Sequence, residues 1–167
     1  NMKSYFNSKM YLFKNLLKKN SKIVTDENNL EFKLIKKISD QKNIKRITIG
    51  SDFGDLKITN IKYKKNKQIV DISSESKTYN LEIPLIGYFQ LKNLFMAVLA
   101  ASLCGIKKRK ILKQLHRIKS VPGRLECVAC LKNSNIIVDF AHTPDALEQS
   151  LIALKEQSKS EIIIVFG

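Results

Sequence analysis

The chain has 167 residues, room for one domain or for parts of two. With 44% hydrophobic and 27% charged residues it has the composition of a folded chain, not a disordered one. Its net charge of +15 invites a polyanion, yet only Arg46, Arg109, Arg117 and Arg124 of the 30 basic residues are arginine. Direct base readers favour the planar guanidinium fork. The lysines are scattered among Asn and Ile residues, so a solvated surface is the better reading and a nucleic-acid partner the lesser one. No apolar run approaches the ~18–20 residues of a membrane span, and no signal-peptide core opens the chain. Three cysteines argue against a secreted disulfide scaffold. The expected location is cytoplasmic, with no membrane partner.

Residues 2–19 read as a helix. At ~100° per residue, Met2, Tyr5, Phe6, Met10, Leu12, Phe13, Leu16 and Leu17 fill one apolar arc with Lys9 in its middle. Residues 21–24 read as a strand, 26–29 as a polar turn, 30–38 as an amphipathic helix and 46–49 as another strand. Three alternating runs follow at 56–63, 68–72 and 78–83, the pattern of a small antiparallel meander with one wet face. Residues 91–104 are apolar on nearly every side and predict a buried helix. A basic helix over 107–118 ends at Val121-Pro122-Gly123, the candidate domain boundary.

The remainder reads as strand 125–131, a turn at 132–134, strand 136–140, helix 143–157 and strand 161–166. Thr143 suits the helix cap and Pro144 the first helical position, with Leu147, Leu151 and Leu154 facing inward. The last three elements predict a β-α-β unit with a parallel sheet. The closing run 161–167 reads as a buried strand, and residue 1 is Asn; the expectation is a piece of a longer or split protein.

Asp139 falls at a strand's carboxyl end and His142 in the turn before a helix, the edge where α/β sheets bind ligands. A helix start suits phosphate and a strand-end carboxylate suits ribose hydroxyls. By position alone a turn cap at Asp139 and an exposed His142 explain the residues equally well. Cys127-Val128-Ala129-Cys130 has a C-x-x-C spacing, but there is no second pair and the segment reads as a strand. The spacing suggests zinc or thiol exchange, but a zinc site there would have to recruit Cys104 or His116 and is not expected. His116 and the basic residues around it read as a solvated face.

The ordered set "VPGRLE" (121–126), "VDFAHTPDALE" (138–148) and "IIVFG" (163–167) resembles the Mur ligase family. "IPLIGYFQLKNLFMAVLAA" (83–101) resembles the family's nucleotide-contacting helix, and "YFNSKMYLF" (5–13) its segment around a modified lysine. The His-Thr-Pro-Asp turn resembles the branch that adds the third amino acid of the peptidoglycan precursor. The resemblance implies an α/β fold. Residues 1–121 would be the C-terminal portion of a central ATP-binding domain containing the meander, and 122–167 the start of a Rossmann-like ligase domain.

The implied activity is ATP-dependent addition of diaminopimelate or lysine to UDP-N-acetylmuramoyl-dipeptide through an acyl phosphate, with ATP and Mg²⁺ as cofactors. Lys9 matches the family's catalytic lysine, carbamylated to hold magnesium. A lysine buried in an apolar arc would lose its proton and take up CO₂, giving the oxygen ligand that Mg²⁺ prefers; a snorkelling lysine is the alternative. Asn93 matches an adenine-contacting amide, with a helix cap as its other reading. Gln90 stands where the family has a first Asn. Arg124 matches a phosphate-reaching arginine, and Asp139 with His142 the second domain's contribution to the nucleotide. No Gly-x-x-x-x-Gly-Lys-Thr loop occurs in the chain. In the family that loop lies upstream of the lysine helix, and the amino-acid-selecting motif lies downstream of Gly167. The chain alone is therefore expected not to catalyse ligation. The other readings are a basic binding module without catalysis and a decayed ligase remnant.

Overall fold

The computed structural model describes residues 2–64, 66–132, 134–158 and 160–166; the side chains of Met2 and Lys3, and with them one position of the expected apolar arc, lie outside the described set. The first region is built on a five-stranded sheet of order β1-β2-β3-β4-β5. β1 (Lys22–Asp26), β2 (Lys45–Gly50) and β3 (Leu56–Lys64) run parallel to one another. β4 (Lys67–Ser74) and β5 (Lys77–Ile83) continue antiparallel from β3. The expected meander is present, but it is not a separate unit. Ile49 pairs with Leu56, which fuses the meander to the parallel strands.

Alternation explains the core. β4 buries Gln68, Val70, Ile72 and Ser74 in strict period two. Leu56 and Ile58 of β3 join them before a register shift at Thr59. Helix α3 (Tyr88–Leu103) lays Leu91, Phe95, Val98 and Leu99 onto this sheet. The expected all-round burial of this helix is corrected, since Asn93, Ala97 and Ala100 face outward. Buried Gln68 donates from Nε2 to the carbonyls of Leu85 (2.8 Å) and Gly87 (3.3 Å), which fixes the turn feeding α3.

The N-terminal helix is shorter than predicted. α1 spans Met2–Tyr11, and residues 12–16 widen into a π-helical turn. The inward stripe is Phe6, Met10, Phe13 and Leu17, packed on Ile23, Ile44 and the Ile35 and Ile38 face of α2 (Phe32–Gln41). Those four span about 220–280° at ~100° per residue, so Lys9 at ~180° sits at the stripe's edge, not its middle. Tyr5, Leu12 and Leu16, counted in the wider arc, are exposed. The basic helix is also shorter. α4 covers Lys108–Leu112 and a 3₁₀ turn covers Leu115–Arg117; Leu112 and Leu115 point inward and His116 outward.

The second region holds an antiparallel pair, β6 (Glu126–Leu131) and β7 (Ser134–Val138), and helix α5 (Pro144–Gln157). Thr143 caps α5 by accepting from the Ala146 N–H at 3.3 Å, with Pro144 at the first position as predicted. Ala153 and Ser150 sit deeper than Leu147, Leu151 and Leu154. At Ala153 the reason is close approach: a Cβ on Gly87 would stand 2.9 Å from the Ala153 Cβ, so only small groups fit between the turn before α3 and α5. The expected final strand is corrected. Residues 161–166 pair with no strand among the described residues, and Ile163, Val165 and Phe166 are more than 80% exposed. A parallel strand is buried only when neighbours flank it, and none stands there among the described residues.

Candidate functional site

Two clefts meet along α3. The first, of about 830 Å³, lies between α1, the end of β1 and α3, and is lined by Lys9, Asp26, Asn28, Phe89, Lys92 and Asn93 among others. The second, of about 710 Å³, lies between α3, the 121–125 turn and α5, and is lined by Phe89, Gln90, Asn93, Arg124, Asp139 and Ser150 among others. Phe89 and Asn93 belong to both walls. The N-cap of α3 is Gly87, so Asn93 is no cap; it stands exposed in the second turn and lines both hollows. The physical effect is one helix face serving two walls.

Lys9 lies in the first cleft, but the buried amine expected there is corrected. The side chain is exposed, and its Nζ sits 4.4 Å from the centroid of the exposed Tyr5 ring. The ammonium is drawn to the ring face by the aromatic quadrupole.

Asp26 was missed in the sequence, although the strand-end logic applied to Asp139 fits it equally. It ends β1 on the carboxyl edge of the parallel strands. Its Oδ1 accepts from the Asn28 N–H at 2.9 Å, and its Oδ2 pairs with Lys92 Nζ at 2.7 Å. Lys92 also lies 5.4 Å from the Tyr88 ring, whose phenol is pushed up by its own burial. Lys92 and Asn93 are neighbouring polar residues in a mostly apolar helix, a signal visible in the sequence. Together they place one cation and one amide on the cleft wall.

Asp139 organises the second cleft. It accepts from the Leu125 N–H (2.8 Å), the Ala141 N–H (2.9 Å) and Ser150 Oγ (3.1 Å). The turn it holds is locked again by Phe140, whose N–H donates to the Gly123 carbonyl at 2.9 Å. Gly123 has φ +66, and a Cβ there would come within 2.3 Å of the Phe140 ring. Buried Gln90 donates to the Arg124 carbonyl at 2.9 Å, so its extra methylene joins α3 to the boundary turn. Arg124 thereby has a fixed backbone and an exposed guanidinium on the cleft. His142 is exposed, lines neither cleft, and sits with Nδ1 3.0 Å from the Phe140 carbonyl. Of the five predicted residues, Asn93, Arg124 and Asp139 share one hollow, Lys9 shares Asn93 from the other side, and His142 stands apart.

Residues 1–101 match the model of the Mur ligase middle domain, and residues 123–167 that of the Mur ligase, glutamate ligase domain. The chain belongs to the Mur ligase family. It is 37% identical over 166 residues to a UDP-N-acetylmuramoyl-L-alanyl-D-glutamate--2,6-diaminopimelate ligase of Rickettsia montanensis, covering 98% of this chain and 34% of that protein. The chain thus spans about a third of the length of the curated relatives it matches. Its fold matches a solved structure of a ligase with the same name, with TM-score 0.74 and 27% identity over 93% of this chain and 32% of that one. It also matches a MurF ligase of Thermotoga maritima in complex with ADP, with TM-score 0.74 and 20% identity over 90% of this chain and 34% of that one. The mixed α/β fold is thus that of Mur ligases. No helix among the described residues is long and apolar enough to cross a membrane.

The donors fit a nucleotide and its magnesium. Lys92 and Arg124 are cations on the walls, Asn93 offers an amide, and Asp26, Glu31 and Asn28 offer hard oxygens. Among the described residues no group of three or more His, Cys, Asp or Glu forms a metal cage. Mg²⁺ does not require one, since it is commonly held by one or two carboxylates with phosphates and water.

Proposed function

We propose that this chain serves an ATP-dependent, amide-bond-forming ligase of peptidoglycan synthesis in the cytoplasm. The enzyme would add the third amino acid to UDP-N-acetylmuramoyl-dipeptide through an acyl phosphate. The relatives' names favour diaminopimelate over lysine. The observation that carries the reading is Asn93, common to the Lys9 cleft and the Arg124–Asp139 cleft. Residues 1–121 are read as the back of the ATP-binding domain and 122–167 as the start of the ligase domain.

In this reading Asn93 pairs the two edge atoms of adenine, and Arg124 reaches phosphate with a planar fork. Asp139 holds the Leu125 backbone first and has one acceptor position left for a ribose hydroxyl. His142 joins the nucleotide only as the two regions approach. Lys9, carrying CO₂ as a carbamate, and Asp26 would hold the magnesium. Held there by these residues, magnesium would supply charge neutralisation for phosphoryl transfer. The carbamate has its own readout: isotopically labelled bicarbonate should give a carbamate signal that Lys9→Ala removes.

Nucleotide binding tests the assignment. Titration with an ATP analogue and magnesium should show binding that Asn93→Ala and Arg124→Ala each weaken by about tenfold, the ~1–3 kcal/mol of a bidentate contact. Unchanged affinity in both variants contradicts the site. The chain alone is expected to release no phosphate from ATP in the presence of dipeptide substrate and diamino acid. Salt-sensitive, sequence-independent binding of RNA or DNA, with no nucleotide binding, would favour the basic-module reading instead.

A further inference from the structure

Cys127 and Cys130 lie outside both clefts. In a regular strand, residues three apart point to opposite faces. β6 is not regular: Cys127 pairs with Ile137, Ala129 with Ile136 and Cys130 with Asn135, leaving Val128 as the extra residue of a β-bulge. Asn135 and Ile137 are two apart on β7 and share a face, so the cysteines opposite them share one too. Two steps of strand rise put the two Cα atoms about 6.6 Å apart, inside the ~4.4–6.8 Å range of disulfides. The sulfurs already touch, at 3.7 Å. Cys130 is exposed and Cys127 is half-buried behind it.

We propose that Cys127 and Cys130 form a redox-active dithiol that exchanges with low-molecular-weight disulfides. The Cys130 thiolate attacks one sulfur of the small disulfide, forming a mixed disulfide and releasing one small thiol. The Cys127 thiolate then attacks the Cys130 sulfur, forming the Cys127–Cys130 bond and releasing the second small thiol. Two protein thiols lose two hydrogens, and the small disulfide gains them as two thiols. Exposure makes Cys130 the attacking residue, and contact makes Cys127 the resolving one.

The pair also sits at a seam. Asn66, at the tip of the β3–β4 hairpin, holds its Nδ2 3.8 Å from each sulfur. Its Oδ1 accepts from Asn135 Nδ2 at 3.0 Å. Drawing the sulfurs from 3.7 Å to the ~2.05 Å of a bond moves them relative to this amide, so the hairpin tip senses the redox state.

The test incubates the chain with oxidised and reduced glutathione over a range of ratios, traps thiols by alkylation in acid and maps the peptides by mass. The expected product is a peptide containing both cysteines that has lost two hydrogens and kept no glutathione. Cys104, exposed at the C-terminal end of α3, stays alkylated or carries glutathione. Cys127→Ser should stop the reaction at a mixed disulfide on Cys130, and Cys130→Ser should slow attack by about tenfold or more. Repeating the wild-type titration in denaturant should lower the oxidation equilibrium constant by about tenfold or more, because the bulge no longer holds the thiols together. Stable glutathione adducts on both cysteines, intermolecular bonding in place of the internal one, or equal constants with and without denaturant would overturn the proposal.

Discussion

The two regions are held together by different physics. The first has a continuous apolar core from Ile49 through Leu115, with Leu56, Val70, Ile72, Ile83, Leu91 and Phe95 fully buried. The second has a small core of Leu125 and Ala153, completed by Ile86 from the first. Polar contacts do the rest of the docking. Tyr63 Oη donates to Glu156 at 2.9 Å, Gln157 Nε2 donates to the carbonyls of Lys64 and, at 3.2 Å, Lys67, and Gln90 holds the Arg124 carbonyl. One wall of the site is therefore built by burial and the other by hydrogen bonds. Loss of apolar volume should unfold the first, whereas changes of charge should loosen the second.

The largest effect separates them by packing. Phe95→Ala should cost about 3–5 kcal/mol in denaturant unfolding, since Phe95 is fully buried at the sheet–helix contact. A loss below ~1 kcal/mol would mean that the core is not where the contrast places it.

A smaller effect is expected at the hydrogen-bonded wall. Asp139→Ala leaves the Leu125 and Ala141 N–H groups without their carboxylate, at about 1–3 kcal/mol. Those two amides should lose hydrogen-exchange protection while the amides of β4 keep theirs. Equal loss in both places would show a single cooperative unit.

Alkaline pH sharpens the same comparison. Burial, and then the hydrogen bond to Glu156, push the Tyr63 phenol up to about 12 from its ordinary 10.0. A raised value means that the folded state favours the protonated phenol. Its stabilisation is fully present below pH 10 and is lost as pH rises through 12. The tyrosinate absorbance difference between the chain and Tyr63→Phe should show a midpoint near 12. A midpoint near 10 would mean that neither the burial of Tyr63 nor its contact with Glu156 persists in solution.

The smallest effect belongs to the surface. The pairing of Glu75 with Lys108 at 2.7 Å holds the exposed Glu75 carboxyl below its ordinary range. Glu75→Gln should change stability by less than about 1 kcal/mol, read as a small shift of the denaturant midpoint. A larger loss would make α4 part of the first region's essential framework.

What the sequence disclosed follows the same division. β4 is readable because period two recurs over the whole element, whereas α3 is readable as a helix but its exposed face at Asn93, Ala97 and Ala100 is not, because small apolar residues hide it. The meander's fusion to the parallel strands was not, because the Ile49–Leu56 pairing depends on the intervening loop. The N-terminal arc was drawn too wide, because hydropathy alone does not separate an exposed Tyr5 or Leu16 from a buried Met10. That error put Lys9 in the core. The motifs single out Arg124, Asp139 and Asn93, which line one hollow, but they do not disclose the hydrogen bonds that hold the turn. The Gln90–Arg124 link needs the helix and the turn in space, and the Cys127–Cys130 contact needs a bulge that a strand pattern hides.

The central claim is that one nucleotide occupies both sides of α3. Nuclear magnetic resonance titration of the labelled chain with an ATP analogue and magnesium tests it most directly. The amide signals of Lys9, Asn93, Arg124 and Asp139 should move together and saturate with a single dissociation constant. Movement confined to one side of the helix, or to the basic surface around Lys108 and Arg109, would contradict it.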